Sequence, residues 1–356
     1  MAKIYGLEMT KPEILRRLGN ASQLAYIRPS ALGVGQCVGL KVFDVSNGVL
    51  DFTVLEGRAL DIYNMKFKGM NLNFVYKSGL SSQFLSAPVG DEAFRGFCGG
   101  MLYTCGMSNV GPACVYEGRD QVFHGQLRGT AAENISTCCA WRGDEYDLKI
   151  QGEMREAQIF KENLLFKREI STSLGEKRLF LKNAIENAGF APQEIMLMFH
   201  INIGFPLLDK GAKLVASFES VKPRDEASKA GLDTFDRISD PIDKCTEQVF
   251  YLKPRTDNEG NTMAAIVNSR LNLGFYVKYN TATLPELIFW KSMVSGDYVV
   301  GVEPSNCFPE GKVRQKQIGR LQSIEPLDIL HFDIELGILE GDEEIGSFCE
   351  EVSNLK

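Results

Sequence analysis

The chain has 356 residues, 44% of them apolar and 10% aromatic, and a formal charge of −7. That is ample apolar material for a buried core, arranged as one large β-domain or two average domains. The mild acidity and the lack of a Lys/Arg cluster exclude a nucleic-acid footprint, and no apolar run approaches the length that spans a bilayer.

The opening Met-Ala-Lys-Ile-Tyr-Gly has no apolar stretch and no small-residue cleavage pattern. A cytoplasmic location with no membrane partner is therefore expected. The nine cysteines are an odd set without a CxxC pair, which argues for reduced thiols packed as small hydrophobes. Cys98/Cys105 and Cys138/Cys139 lack the partner histidine that would make them metal ligands.

Residues 10–25 read as a short helix, with Thr10 and Glu13 at capping-box spacing, Pro12 in the first turn, and Ile14, Leu15 and Leu18 as an apolar face. The pattern then shifts to period two. Val42, Val45, Val49, Phe52 and Val54 flank Asn47-Gly48, a hairpin turn signal. Mixed alternation continues over 59–67. Further strands are expected at 147–157, 164–171, 177–187, 194–203, 212–218, 246–253, 263–268, 272–280, 286–291, 298–303 and 329–338. Residues 81–120 and 219–245 read as long surface connections, where function often resides. There is no βαβ rhythm, no fixed-period repeat and no dividing linker. The reading is a single all-β domain over 1–356, with the strands within 40–340.

Three histidines can be weighed one by one. His331 falls on the polar side of an alternating strand and reads as solvated. His124 lies in Phe-His-Gly-Gln-Leu-Arg-Gly, with Arg128 as a nearby cation. His200 and Asn202 share one face of a strand whose other face carries Phe199, Ile201 and Ile203. A wet sandwich surface and a binding cleft both suit that pattern. Glu303 ends an apolar strand before Pro304, as either an exposed carboxylate or a base at the mouth of the sandwich. Dinucleotide, P-loop, zincin and nucleophile-elbow motifs are absent.

Taken in order, several segments resemble the aldose 1-epimerase (galactose mutarotase) superfamily, and more closely an aldose-1-epimerase-like branch of it. They are 57–62 (GRALDI), 94–101 (FRGFCGGM), 104–106 (TCG), His124-Gly125, 200–209 (HINIGFPLLD) and 301–306 (GVEPSN), and the likeness spans roughly 12–340. It implies a β-supersandwich of antiparallel sheets with a short N-terminal helix. It implies Glu303 as base and His200 as acid, on opposite sides of a sugar ring. His124 and Arg95 would hold ring oxygens or hydroxyls, with Asn202 beside them. Such chemistry opens the ring, rotates C1–C2 and closes it again. It needs no metal or redox cofactor, and it wants His200 protonated at rest, helped by a neighbouring carboxylate.

The chain departs from the family in three ways. The substrate-binding aspartate has no clear match, with Asp240, Asp243 and Asp297 candidates by position. His-Ile-Asn-Ile-Gly replaces Asn-His-Thr-Tyr-Phe-Asn-Leu. Arg58, Asp61, Arg128 and Lys291 are extra charges, whose cations would either meet an acidic or phosphorylated sugar or pair with acids such as Asp61 and Glu133. The expected activity is interconversion of sugar anomers or a related isomerisation, on a small carbohydrate whose identity is open, by a chain that could form a homo-oligomer. The alternatives are a non-catalytic carbohydrate-binding or regulatory protein, and a sugar lyase or glycosidase on the same fold.

Overall fold

The computed structural model describes residues 2–4, 6–82 and 96–356. Two large antiparallel sheets and a smaller one carry almost all of the regular structure. The larger sheet has nine strands, running from Glu133–Arg142 at one edge through Glu145–Ala157, Asn163–Ser173 and Arg178–Asn187 to Ile334–Glu340, Leu273–Asn280, Asn261–Asn268 and Ala212–Ala216, with Ile329–His331 also paired to Arg178–Asn187. The seven-stranded sheet is ordered Phe218–Pro223, Gln248–Pro254, Glu286–Val294, Asp297–Ser305, Gln193–Ile203 and Gln322–Ile324, with Leu102–Met107 against Gln193–Ile203. A five-stranded sheet contains the hairpin Lys41–Ser46/Leu50–Leu55 turned at Asn47-Gly48, as the turn signal predicts.

Period two explains how the sheets meet. Phe199, Ile201, Phe250, Phe289 and Val302 on one face of the seven-stranded sheet share a buried cluster with Phe166, Ile185, Val277 and Leu336 of the nine-stranded sheet. Each such side chain contributes about 1.5–3 kcal/mol through burial. The opposite face of the seven-stranded sheet buries Met196, Met198, Val249 and Ile288 beneath Phe97. The site is built on this second face.

Four sequence expectations need correction. The N-terminal helix covers only Lys11–Leu15. The Thr10 N–H donates to Glu13 Oε2 at 2.8 Å, but Asn20 then accepts from Ser22 N and starts a separate 3₁₀ turn, Ala21–Gln23. Residues 81–120 hold a strand, Leu102–Met107, that pairs with Gln193–Ile203 and is buried at every position, so without alternation. Residues 219–245 begin in the edge strand Phe218–Pro223. The strand expected at 329–338 is split, and both parts pair with Arg178–Asn187. The chain ends in a helix, Gly341–Ser353. No helix among the described residues is long and apolar enough to cross a membrane.

Candidate active site

The register that pairs Ile201 with Val302 and Met198 with Ser305 sets His200 opposite Glu303 on adjacent strands. Cross-strand neighbours stand about 5 Å apart at Cβ, so their side chains meet. His200 Nε2 lies 3.1 Å from Glu303 Oε1, with side-chain exposures of 8% and 2%. The approach is off the line of a well-formed hydrogen bond, and Glu303 Oε1 and His200 Nδ1 keep no hydrogen-bond partner. Gly301 makes room for the pair, because a Cβ there would fall 2.1 Å from Glu303 Oε1. The resemblance implied an acid and a base on opposite sides of a ring. The structure instead puts them in contact, on one side of the pocket.

His124 reaches the same pocket from a strained turn. Its φ is +56°, a conformation that only a few per cent of non-glycine residues adopt. Three hydrogen bonds hold it: His124 N to Gly111 O at 2.9 Å, Gly106 N to His124 O at 3.0 Å, and Gly111 N to His124 Nδ1 at 3.2 Å. Because Nδ1 accepts, the neutral ring carries its proton on Nε2. Gly125 packs so tightly that a Cβ would sit 2.1 Å from Gly106 O. The two histidine rings are 6.3 Å apart.

The pocket is a cavity of about 280 Å³ whose walls include Tyr76, Phe97, Phe123, Trp290, Arg224 and Glu247. Trp290 packs edge-on against His200 with ring centroids 5.3 Å apart, and its Nε1 donates to Glu247 Oε2 at 2.7 Å. Arg224 binds the other oxygen of Glu247 at 2.9 Å and Asp225 at 2.9 Å. Sequence reasoning missed Arg224 and Glu247, which stand alone in polar stretches. It also named Lys291 where strand parity delivers Trp290.

The other candidates are placed elsewhere. Lys291 points to the opposite face, where Nζ donates to the carbonyls of Thr234, Phe235 and Arg237. Arg58 donates to Ser81 O, Ser81 Oγ and Gly96 O. Asp61 is ion-paired to Arg168 at 2.7 Å in the core. Arg128 donates to Phe123 O and Tyr103 Oη, bracing the residue before His124. Asn202 donates to Gly100 O at 2.9 Å, leaving its Oδ1 without a partner. Asp240 and Asp297 bind Lys210 and Lys77, and Asp243 accepts from Ser295. None of these three lines the pocket. Arg95 lies outside the described residues. His331 is exposed, as expected.

Burial dominates the electrostatics. It drives the His200 imidazole down to about 3, opposed only by Asn202, and raises the Glu303 carboxyl well above its usual range, with Glu247 adding to the effect. Burial, then His200 and Arg128, holds His124 well below the usual histidine range. Burial therefore disfavours the expected resting imidazolium at His200 and favours one proton for the pair, held on Glu303.

That shared proton sets a pH signature. The unfolded chain binds two protons at these residues below the ordinary glutamate value of 4.5, one between 4.5 and the ordinary histidine value of 6.5, and none above it. Between 4.5 and 6.5 the folded pair also holds one, with Glu303 protonated and His200 neutral. Glu303 contributes stability that is lost as pH rises above 4.5, and His200 contributes stability that is lost as pH falls below 6.5. Between the two values these slopes cancel. Above 6.5, stability falls by up to ~1.4 kcal/mol per pH unit until the pair ionises. Urea titrations at rising pH above 6.5 should show the wild type losing stability while Glu303→Gln does not. Equal slopes in both proteins would contradict the shared proton.

Comparison with known proteins agrees on architecture. A Klebsiella pneumoniae protein ascribed to the aldose 1-epimerases is 22% identical, with a TM-score of 0.88 over 92% of this chain and 87% of that one. A galactose mutarotase-like protein from Clostridium acetobutylicum gives 13% identity and a TM-score of 0.61 over 89% of this chain and 99% of that one. Galactose 1-epimerase from Lactobacillus acidophilus gives 13% and 0.58 over the same shares. At these identities the likeness establishes the galactose mutarotase-like fold. No curated protein matches. The model of one family, described as a domain of unknown function (DUF4432), matches residues 37–338, and the chain belongs to that family.

Proposed function

We propose that the chain is a sugar isomerase that interconverts the anomers of an aldose or modified aldose. The observation that carries this reading is the Glu303–His200 contact at 3.1 Å on the wall of a small, partly aromatic cavity. A cyclic hemiacetal carries its hydroxyl and its ring oxygen on one carbon. Ring opening takes a proton from the first and gives one to the second. Two adjacent groups that share a proton suit that exchange. In the neutral tautomer, the Glu303 carboxyl protonates the ring oxygen while His200 accepts the hydroxyl proton. In the ion-pair tautomer the roles are reversed. Either way one proton leaves the pair and one enters it. Closure on the other face of the carbonyl restores the starting tautomer.

The remaining groups suit sugar recognition. The His124 Nε2–H is a donor to a hydroxyl or ring oxygen, and Trp290 offers an apolar flank. Glu247 takes the place of the family's missing aspartate as an acceptor of hydroxyl hydrogen bonds. A lyase or glycosidase reading is weaker, because both oxygens of this second carboxylate are already bound by Arg224 and Trp290. The cations expected to read an acidic or phosphorylated sugar, Arg58, Arg128 and Lys291, are engaged with neutral oxygens away from the cavity. NMR saturation exchange on a panel of neutral, acidic and phosphorylated aldoses should reveal at least one whose anomers exchange faster than the buffer rate. Uncatalysed rates on the whole panel, with micromolar binding by calorimetry, would transfer the site to the carbohydrate-binding alternative.

A further inference from the structure

The nine-stranded sheet ends in an apolar patch remote from the cavity. The turn at 158–162 presents Ile159 and Phe160, and the turn at 188–192 presents Phe190, with exposures of 78%, 102% and 88%. Leu327 and Ile329 are also exposed. Backbone and side-chain hydrogen bonds hold these three segments together. Asn163 Nδ2 donates to Ala188 O at 3.0 Å. Leu327 N donates to Asn187 O at 2.8 Å, and Asn187 N donates to Asp328 O at 3.1 Å.

Backbone strain makes the choice of residues informative. Phe160 and Leu327 have φ of +64° and +65°. Glycine or asparagine suits such positions, whereas bulky side chains are strained there. A turn that only had to reverse the chain would not need them. Five large apolar side chains expose roughly 600 Å², at the upper end of the largest patch on an ordinary monomer.

The charges around the patch identify the occupant. The strands beside these turns run in the order Asn163–Ser173, Arg178–Asn187, Ile329–His331, so exposed Lys161 lies at one end of the row and exposed Glu325 and Asp328 at the other, with the turn of Phe190 between them. A two-fold axis through Phe190 sets each Lys161 against Glu325 and Asp328 of a second copy, and stacks the apolar residues between. We infer that this patch is an isologous homodimer interface.

Sedimentation velocity on the full chain over roughly 1–100 µM tests it. The wild type should be a dimer, and Phe160→Glu/Phe190→Glu a monomer with an unchanged circular dichroism spectrum. Lys161→Glu, which leaves the apolar residues and the fold intact, should weaken the dimer at least tenfold. Adding Glu325→Lys and Asp328→Lys to it should restore association. A wild type that is monomeric over this range would overturn the proposal. So would a dimer that survives Phe160→Glu/Phe190→Glu, or charge reversal without rescue. Flotation of the wild type with neutral phosphatidylcholine vesicles, abolished by the double substitution, would assign the patch to a lipid surface instead.

Discussion

Glu303→Gln should lower the anomer-exchange rate by about 10²- to 10⁴-fold on any sugar the wild type turns over. Glutamine keeps the shape of the side chain but cannot carry the shared proton. The fall should appear in kcat, with KM changed little, because the lost interaction belongs to proton transfer and not to ground-state binding. His200→Gln should cost about as much. The double variant should be no worse than either single one, because two groups that pass one proton act as a unit and their losses do not add. Two independent contributions would instead multiply. Single-turnover rates of the four proteins therefore separate a coupled pair from an acid and a base working apart. A Glu303→Gln variant that retained its rate would remove the pair from the chemistry.

The residues of the site were more legible than their arrangement. His124-Gly125, the strand motif around His200 and the late Glu303 stand out in order along the chain, and the alternation at 199–203 already assigns His200 to the face opposite Ile201. What no one-dimensional pattern contains is strand register. The contact between His200 and Glu303 depends on two strands distant in sequence pairing Ile201 with Val302. A shift of one residue would move Glu303 off that face altogether. Lys291 and Trp290 show how parity could have been used further. On the expected strand 286–291 they must point to opposite faces, and the choice turns on which face holds His200. Charge drew attention to the lysine, while the buried carbonyls of Thr234, Phe235 and Arg237 account for it. Glu247 carries no motif. It becomes visible only when Trp290 and Arg224 close around it. The strand Leu102–Met107 escaped because burial on both faces erases alternation.

The second large effect concerns Asp61, a binding candidate in sequence that the structure places in a buried polar network. Asp61 comes from the five-stranded sheet, Thr104 from the seven-stranded sheet, and Arg168 and Asn183 from the nine-stranded sheet. Arg168 donates to Asn183 Oδ1 at 2.8 Å, Ala59 O at 3.0 Å, Asp61 Oδ1 at 2.7 Å and Thr104 Oγ1 at 2.9 Å. Asp61 also accepts from Thr104 N at 2.8 Å and Thr104 Oγ1 at 2.5 Å. Burial opposes both charges, lowering the Arg168 guanidinium and raising the Asp61 carboxyl. The pair is therefore sustained by its partners and not by solvent. Arg168→Met should leave a buried carboxylate without its counter-ion and cost about 3–5 kcal/mol. At about 2 °C per kcal/mol for a chain of this size, that is a fall of roughly 6–10 °C in Tm. Because Thr104 lies directly across from Phe199, next to His200, the variant should also lose activity below its Tm. Asp61→Leu/Arg168→Met removes both charges together and should recover most of the lost stability, since well-packed apolar replacements of buried ion pairs are often neutral or better. A single substitution that cost less than about 1 kcal/mol would mean that the three sheets are held by apolar packing alone. A double variant no more stable than Arg168→Met would mean that shape at this junction matters more than charge.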